Sequence, residues 1–188
     1  MAMHVKLFYT TVSTPFDNIS IVWSKTQSGV LVQRIFLSDS KSSSENKVQT
    51  SFQQVDSGSL PLIEELAEKI LMFLNGKQVD FDLSIVDFDR CYATQKRVIL
   101  AEYEIPRGWI STYKRIADHL EILNGARAVG SALARNPFPI IIPCHRAIKT
   151  DGGLGGYQGG LKMKRVLLEM EGVKFSDKGK VIMDKVYY

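Results

Sequence analysis

Between Asn136 and Gly160 the chain carries three prolines and six glycines, a density through which no regular helix or central strand can run. Asn136-Pro137-Phe138-Pro139 stops a helical pattern, and Ile140-Ile141-Ile142 then leads into Pro143-Cys144-His145-Arg146. Three consecutive isoleucines predict a buried approach, and Pro143 makes the turn after it rigid. Asp151 to Gly160 holds all six of those glycines, and from Leu161 a helical pattern resumes to Met170, ending at Glu171-Gly172. The chain must therefore fold as rigid elements that hold a long irregular segment in place.

The two sides of that segment read differently. Val5–Tyr9 and Ile19–Trp23 are short β-rich runs, and Ser28-Gly29 is a turn into a third, Val30–Phe36; an antiparallel meander is the simplest assembly. Ser38 to Ser59, rich in Ser, Gln, Asn and Lys, predicts an exposed loop. A helix follows from Leu60, capped by Ser59 with Pro61 in its first turn and Asn75-Gly76 at its end, and Val79 to Phe88 has room for one more strand. No chemistry is visible in residues 1–90, which read as a small α/β scaffold domain.

Residues 91–188 are patterned for helices. Thr94 to Glu104 is one, stopped by Pro106 and Gly108; Ser111-Thr112 can cap a second, Tyr113 to Leu120; the Asn124-Gly125 turn opens a third, Ala126 to Arg135. Two short helices joined by a Gly-containing turn have the layout of a helix-turn-helix. The third helix is made of small side chains, with Arg127 the one long residue near its start. Alanine, glycine and serine cannot read base edges in a major groove. They fit either tight helix–helix packing or close approach to a DNA minor groove with Arg127 as a wedge. The tail from Val173 to Tyr188 predicts a terminal strand or ordered extension.

Composition narrows the class. Hydrophobic residues make up 45% and charged residues 23% of 188, the balance of an ordinary soluble protein, and no apolar run approaches a membrane span. The stretch Met1 to Lys6 lacks the layout of a signal peptide, so the expectation is an intracellular protein, cytoplasmic or, in a eukaryote, nuclear. The two cysteines make no disulfide framework, and Cys91 reads as a packing thiol. The three histidines show no paired ligand spacing, so no metal is expected. The overall charge of +4 is too modest to establish nucleic-acid binding, but seven of the basic residues and only two acidic ones fall between Pro106 and Lys149.

That basic stretch contains Cys144. A cysteine on a rigid turn beside His145 and Arg146 has neighbours that favour the thiolate, although adjacent side chains often point apart and the pair alone also fits a structural thiol. The Gly-rich loop lacks the Gly-Lys-Ser/Thr ending of a phosphate-binding loop and reads as backbone passing close to a ligand, with Tyr157 its only aromatic. Glu171 stands at a helix C-terminus, where the dipole disfavours a carboxylate, so a partner such as histidine is expected.

Taken together, Pro143-Cys144-His145-Arg146, Ala126-Arg127-Ala128-Val129-Gly130, Asn136-Pro137 and Gly156-Tyr157-Gln158-Gly159-Gly160 resemble the O6-alkylguanine-DNA alkyltransferases from about Ile105 to Gly172. The resemblance implies irreversible, stoichiometric repair: an alkyl group leaves O6-alkylguanine in double-stranded DNA and stays on Cys144. It implies a ribonuclease-H-like α/β domain with an antiparallel sheet at 1–90 and a mainly helical, helix-turn-helix domain at 91–188. His145 would draw the thiol proton through a water while Glu171 holds the imidazole, and Asn136 would tie the third helix to the cysteine turn. Arg127 would fill the gap left by a flipped nucleotide, Tyr113 would help rotate it, and Ala126, Ala128, Gly130 and Ser131 would line the minor groove. Tyr157 and Gln158 would bound the base pocket, with backbone near Ala147 and Ile148 reading the guanine edge. No cofactor and no membrane enter, and the protein would act as a monomer. Gln158 stands where many members have Ser, which puts its contact with the lesion oxygen in question. Ser131 replaces a common glycine, the aromatics often seen early in the Thr94–Glu104 helix are missing, and the zinc ligands of some members are absent.

Three other readings compete. A non-catalytic alkylguanine sensor would lack the acceptor cysteine. A cysteine hydrolase using Cys144, His145 and Glu171 would need an oxyanion hole. A transcription regulator would need a helix able to read sequence.

Overall fold

The first three β-rich runs carry the β-branched and aromatic residues that favour extended chain, and the middle one is buried at six consecutive positions. In the computed structural model, which describes residues 5–27 and 29–188, they form β1 (Leu7–Val12), β2 (Ile19–Thr26) and β3 (Gly29–Leu37). Both pairings are antiparallel, with Tyr9 opposite Val22 and Ile21 opposite Ile35. Met1–His4 of the expected signal-free start and Ser28 of the Ser28-Gly29 turn lie outside the described residues. β1 runs Leu7–Val12 rather than Val5–Tyr9.

The expected loop from Ser38 to Ser59 is wrong. It contains α1 (Ser44–Ser51) and the two-residue β4 (Asp56–Ser57). Ser43 caps α1 by accepting from the Asn46 amide, and Val48 is fully buried against Val22 and Phe36. One apolar anchor in eight residues is too sparse a stripe to register as periodicity. β4 adds to β1 in parallel, giving the order β3-β2-β1-β4.

Helix α2 spans Pro61–Leu74 and buries Ile63, Leu66, Ile70, Phe73 and Leu74 on one face. Leu60 rather than Ser59 occupies its cap position, and the Ser59 hydroxyl instead donates to Glu64. Val79 to Phe88 holds no strand: two short 3₁₀ turns, Leu83–Ile85 and Phe88–Arg90, take its place, the first capped by Asp82, with Val86 bridging to Val32.

The described residues fall into two compact units divided between Arg90 and Cys91. The second consists of α3 (Ala93–Glu104), β5 (Ser111–Thr112), α4 (Tyr113–His119), α5 (Ala126–Ala134), a 3₁₀ turn at Cys144–Arg146, β6 (Ala147–Ile148) and α6 (Gly160–Met170). Thr112 caps α4 through its hydroxyl, which accepts from the Arg115 amide. The Gln95 side chain donates to the carbonyls of Ala132 and Arg135, tying α3 to the end of α5. β5 and β6 pair in parallel, Ser111 with Ala147 and Thr112 with Ile148. The tail is an ordered extension: Ile110 donates to the Lys185 carbonyl and accepts from Tyr187. A small core of Ile110, Ile148, Leu168, Val173 and Val181 closes the unit. The described residues form a mixed α/β structure with six α-helices, a four-stranded sheet and a two-stranded one, and among them no helix is long and apolar enough to cross a membrane.

Candidate active site

The prolines and isoleucines before Cys144 do what their chemistry requires. Pro137, Phe138, Ile140, Ile141, Ile142 and Pro143 are all buried, and the backbone reverses at Ile140, whose φ of 78° is a strained value for a β-branched residue. Asn136, itself fully buried, organises this turn: its amide nitrogen donates to the Ile142 carbonyl and its oxygen accepts from the Phe138 amide. It also hydrogen-bonds the Cys144 thiol.

Cys144 is buried at the wall of a cavity of about 210 Å³ lined by Tyr113, Gly130, Leu133, Ala134, Cys144, Lys149, Gly155, Gly156, Tyr157 and Gln158. Four expected site residues, Tyr113, Gly130, Tyr157 and Gln158, thus share one space with the thiol. Gly155 holds φ at 71°, and a Cβ there would lie 2.4 Å from the Tyr113 hydroxyl, so only glycine lets the loop close against that ring. The Gln158 amide donates to the Asn136 carbonyl at 2.7 Å. The Tyr157 hydroxyl is buried without a hydrogen-bond partner. Burial pushes the Tyr113 phenol up to about 12 and the Tyr157 phenol well above its ordinary value.

Beside Cys144, His145 turns to Glu171. The Nε2 atom lies 3.0 Å from Glu171 Oε1; because a carboxylate only accepts, Nε2 carries the hydrogen. Arg146 donates to both carboxylate oxygens, at 2.7 and 2.9 Å, and to the Ile105 carbonyl, and the Gly108 amide adds a fourth donor to Glu171. The dipole penalty expected at the end of α6 is therefore met by three partners, His145, Arg146 and the Gly108 amide. Burial alone would raise the Glu171 carboxyl, but His145 and Arg146 overcome it and hold it well below the usual carboxylate range. Burial holds the His145 imidazole below its ordinary value, against the pull of Glu171.

One expectation needs correcting. Arg146 was expected to favour the Cys144 thiolate, but its guanidinium is engaged by Glu171 and Ile105. Burial pushes the thiol up to about 11; Asn136 lowers it, Glu102 raises it and Lys164 lowers it. The resting cysteine is a protonated thiol.

Glu102 and Lys164 were not foreseen as site residues. Both are fully buried, Glu102 on α3 and Lys164 on α6. The signal was present: Glu102 falls in the apolar stripe of Val98, Ile99 and Ile105, and Lys164 in that of Met163, Leu167 and Leu168. A charge at a core position of a helix is the pattern to look for.

The remaining expected residues lie elsewhere. Arg127, Ala128 and Ser131 are exposed on α5 and Ala126 is partly so, so this face presents small side chains flanked by Arg127 and Arg135. Ala147 and Ile148 are buried in β6, and the Ala147 carbonyl accepts from Lys164. Among the described residues no group of three or more His, Cys, Asp or Glu side chains could hold a metal ion.

Residues 93–173 match the family model described as 6-O-methylguanine DNA methyltransferase, DNA binding domain. A methylated-DNA–protein-cysteine methyltransferase of Methanothermobacter thermautotrophicus is 50% identical over 118 residues, which span 63% of this chain and 66% of that one, just under two thirds of its length. One from Saccharolobus islandicus is 42% identical over 113 residues, 60% of this chain and 72% of that one. The crystal structure of Mycobacterium tuberculosis O6-methylguanine methyltransferase superposes with a TM-score of 0.71 at 30% identity, covering 88% of this chain and 92% of that one. On this sequence and fold, the chain belongs to the methylated-DNA–protein-cysteine methyltransferase family.

Proposed function

We propose that the protein repairs DNA by moving the alkyl group of an O6-alkylguanine onto the sulfur of Cys144. The observation that carries this reading is the placement of that sulfur on a 210 Å³ cavity bounded by Tyr113, α5 and the glycine loop, next to the His145–Glu171 pair. A cavity of this size suits one extruded base, and the target atom of a stacked guanine is otherwise out of reach.

In the step itself the sulfur attacks the alkyl carbon, the carbon–oxygen bond breaks, and guanine leaves with a proton on its ring system. Because the resting thiol is neutral, a base must take its proton. His145 is suited to this through its second nitrogen, with Glu171 and Arg146 fixing the ring and stabilising the imidazolium that forms. Asn136 orients the thiol, and Tyr113, held neutral by burial, can pass a proton to the departing base and take back the one His145 removed from the thiol, so that the net step moves the thiol proton to guanine. The product is a thioether, which no group in the cavity can cleave, so each molecule acts once.

DNA enters through α4, the turn after it and α5, read as a helix-turn-helix. The small residues Ala126, Ala128, Gly130 and Ser131 would allow close contact with the minor groove, and Arg127 would fill the space left by the flipped nucleotide. Tyr157 and Gln158 would bound the base, and backbone near Ala147 and Ile148 would read its edge. Residues 1–90 serve as a ribonuclease-H-like scaffold domain and 91–188 as the DNA-binding and alkyltransferase domain, acting as a monomer within the cell, without a cofactor and without a membrane. Duplex DNA carrying O6-methylguanine in tenfold excess tests the stoichiometry: one lesion cleared per protein molecule is expected, and none by Cys144→Ser. Continued turnover would overturn the reading.

A further inference from the structure

The cavity that holds Cys144 is small for its task, and one side chain ties two of its walls together. Its 210 Å³ is not far above the ~150 Å³ of a protein cavity that holds a single benzene molecule. Guanine, a fused pair of rings, takes up most of such a space. The sulfur is buried on the cavity wall, so the group it receives must fit between base and protein. Gly130, Leu133 and Ala134 bound the cavity from α5, and Gly155, Gly156, Tyr157 and Gln158 bound it from the glycine loop. The loop is fixed to α6: the Gly156 carbonyl accepts from Lys164 at 3.2 Å and the Tyr157 carbonyl from the Gly160 amide at 3.1 Å. Gln158 joins it to the other wall, its Nε2 donating at 2.7 Å to the carbonyl of Asn136, just past the end of α5. Asn136 is a firm anchor, fully buried with its side chain bonded to Ile142 and Phe138. A serine at position 158 would be too short to span this gap.

We infer that Gln158 is a positioning residue that straps the glycine loop to the end of α5 and so restricts Cys144 to small O6-alkyl groups, accepting methyl and disfavouring benzyl. The inference rests on the repair reading and names its substrate range. The Gln158 amide, committed to the Asn136 carbonyl, acts through the loop it holds rather than by contact with the alkyl group. A benzyl group brings a second benzene-sized volume to a space that one base nearly fills, so it enters only if a wall moves. The Gly155 end of the loop already lies against Tyr113, where even a Cβ would come within 2.4 Å of the hydroxyl, and has no room to close further. Outward movement at the Gln158 end is what the strap opposes. With either group the chemistry balances in the same way: the sulfur–carbon bond forms as the carbon–oxygen bond breaks, and the thiol proton ends on guanine.

The test compares single-turnover transfer from duplex DNA carrying O6-methylguanine with transfer from the same duplex carrying O6-benzylguanine, at saturating protein so that DNA affinity drops out. A benzylic carbon is attacked at least as readily as a methyl carbon, so slower benzyl transfer reports lack of room rather than lack of reactivity. The wild-type protein should transfer benzyl about ten- to a hundredfold more slowly than methyl. Gln158→Ser shortens the side chain and removes the strap. Gln158→Glu keeps its length but, ionised at pH 8, has no hydrogen to donate to the Asn136 carbonyl. Both should raise the benzyl-to-methyl ratio about fivefold, the effect of losing one hydrogen bond that holds the loop closed, whatever happens to the methyl rate itself. Equal wild-type rates for the two groups would overturn the inference and leave the repair reading intact. So would an unchanged ratio in both variants, or a change in Gln158→Ser alone, which would credit the smaller side chain and not the bond. Transfer of neither group by the wild-type protein would defeat the repair reading, and this inference with it.

Discussion

The two units bury polar groups in different ways. Among the described residues of the N-terminal unit every buried polar side chain is neutral: Ser20, Ser24, Gln33, Ser38 and Ser44. They satisfy one another, Ser20 donating to Ser44 and Gln33 to Ser24, both at 2.9 Å. The C-terminal unit buries Glu102, His145, Arg146 and Lys164 outright, and the Glu171 side chain is only 2% exposed. Hydroxyl pairs are an inexpensive way to close a core. Buried charges are a poor one, so their concentration around a single cysteine marks the unit that does chemistry.

If this contrast is sound, substitutions in the second unit should act on transfer and those in the first on stability alone. The largest effect is expected at Glu171. Glu171→Ala leaves Arg146 and His145 buried without their acceptor and should destabilise the C-terminal unit by about 3–5 kcal/mol. Glu171→Gln keeps the shape and should slow single-turnover transfer by about a hundredfold, with lesion-DNA affinity nearly unchanged. Equal losses in rate and affinity would make Glu171 structural.

Next comes Arg127→Ala, on the exposed face of α5. It should slow transfer from duplex DNA about tenfold, because extrusion is no longer assisted, and leave transfer from the free alkylated base unaltered. A matching loss with the free base would place Arg127 in the chemistry instead.

Acid should separate the units as well. The folded-state values of His145 and Glu171 are both depressed, so their contributions are present above the unfolded values of about 6.5 and 4.3 and are lost as pH falls below each. Glu102 acts in the opposite sense. Its value is raised to about 8, so between pH 8 and about 4.3 it favours the fold as pH falls and masks part of the loss. The C-terminal unit should therefore weaken below about pH 6.5, and more steeply in Glu102→Gln. Each unit has one tryptophan, Trp23 and Trp109, so urea unfolding of Trp23→Phe and Trp109→Phe variants reports on each separately. Identical acid profiles for the two would break the contrast.

The smallest effect belongs to the scaffold: Ser20→Ala should lower stability by about 1 kcal/mol and leave the transfer rate alone.

What could be read from the sequence follows the same division. β-rich runs and helical stripes made β2, β3, α2, α3, α4, α5 and α6 legible to within a few residues, because each is held by several buried side chains. Helix α1 escaped notice because Val48 is nearly its whole apolar face, and the Val79–Phe88 segment because a lone bridge at Val86 does not make a strand. At the site, the cysteine turn, the glycine loop and the Glu171 partner were legible from local chemistry. The engagement of Arg146 by Glu171 and Ile105, and the burial of Glu102 and Lys164, were not, because they depend on contacts with residues far apart in sequence. Only the polar interruption of two apolar stripes announced those two residues.

The most direct test of the central claim is the intact mass of the protein after incubation with duplex DNA bearing one O6-methylguanine, followed by peptide mapping. The account predicts the gain of a single methyl group in place of a hydrogen, confined to the Cys144 peptide and never exceeded with more DNA. Tight, lesion-dependent binding with no change in mass would contradict it and make Cys144 a structural thiol.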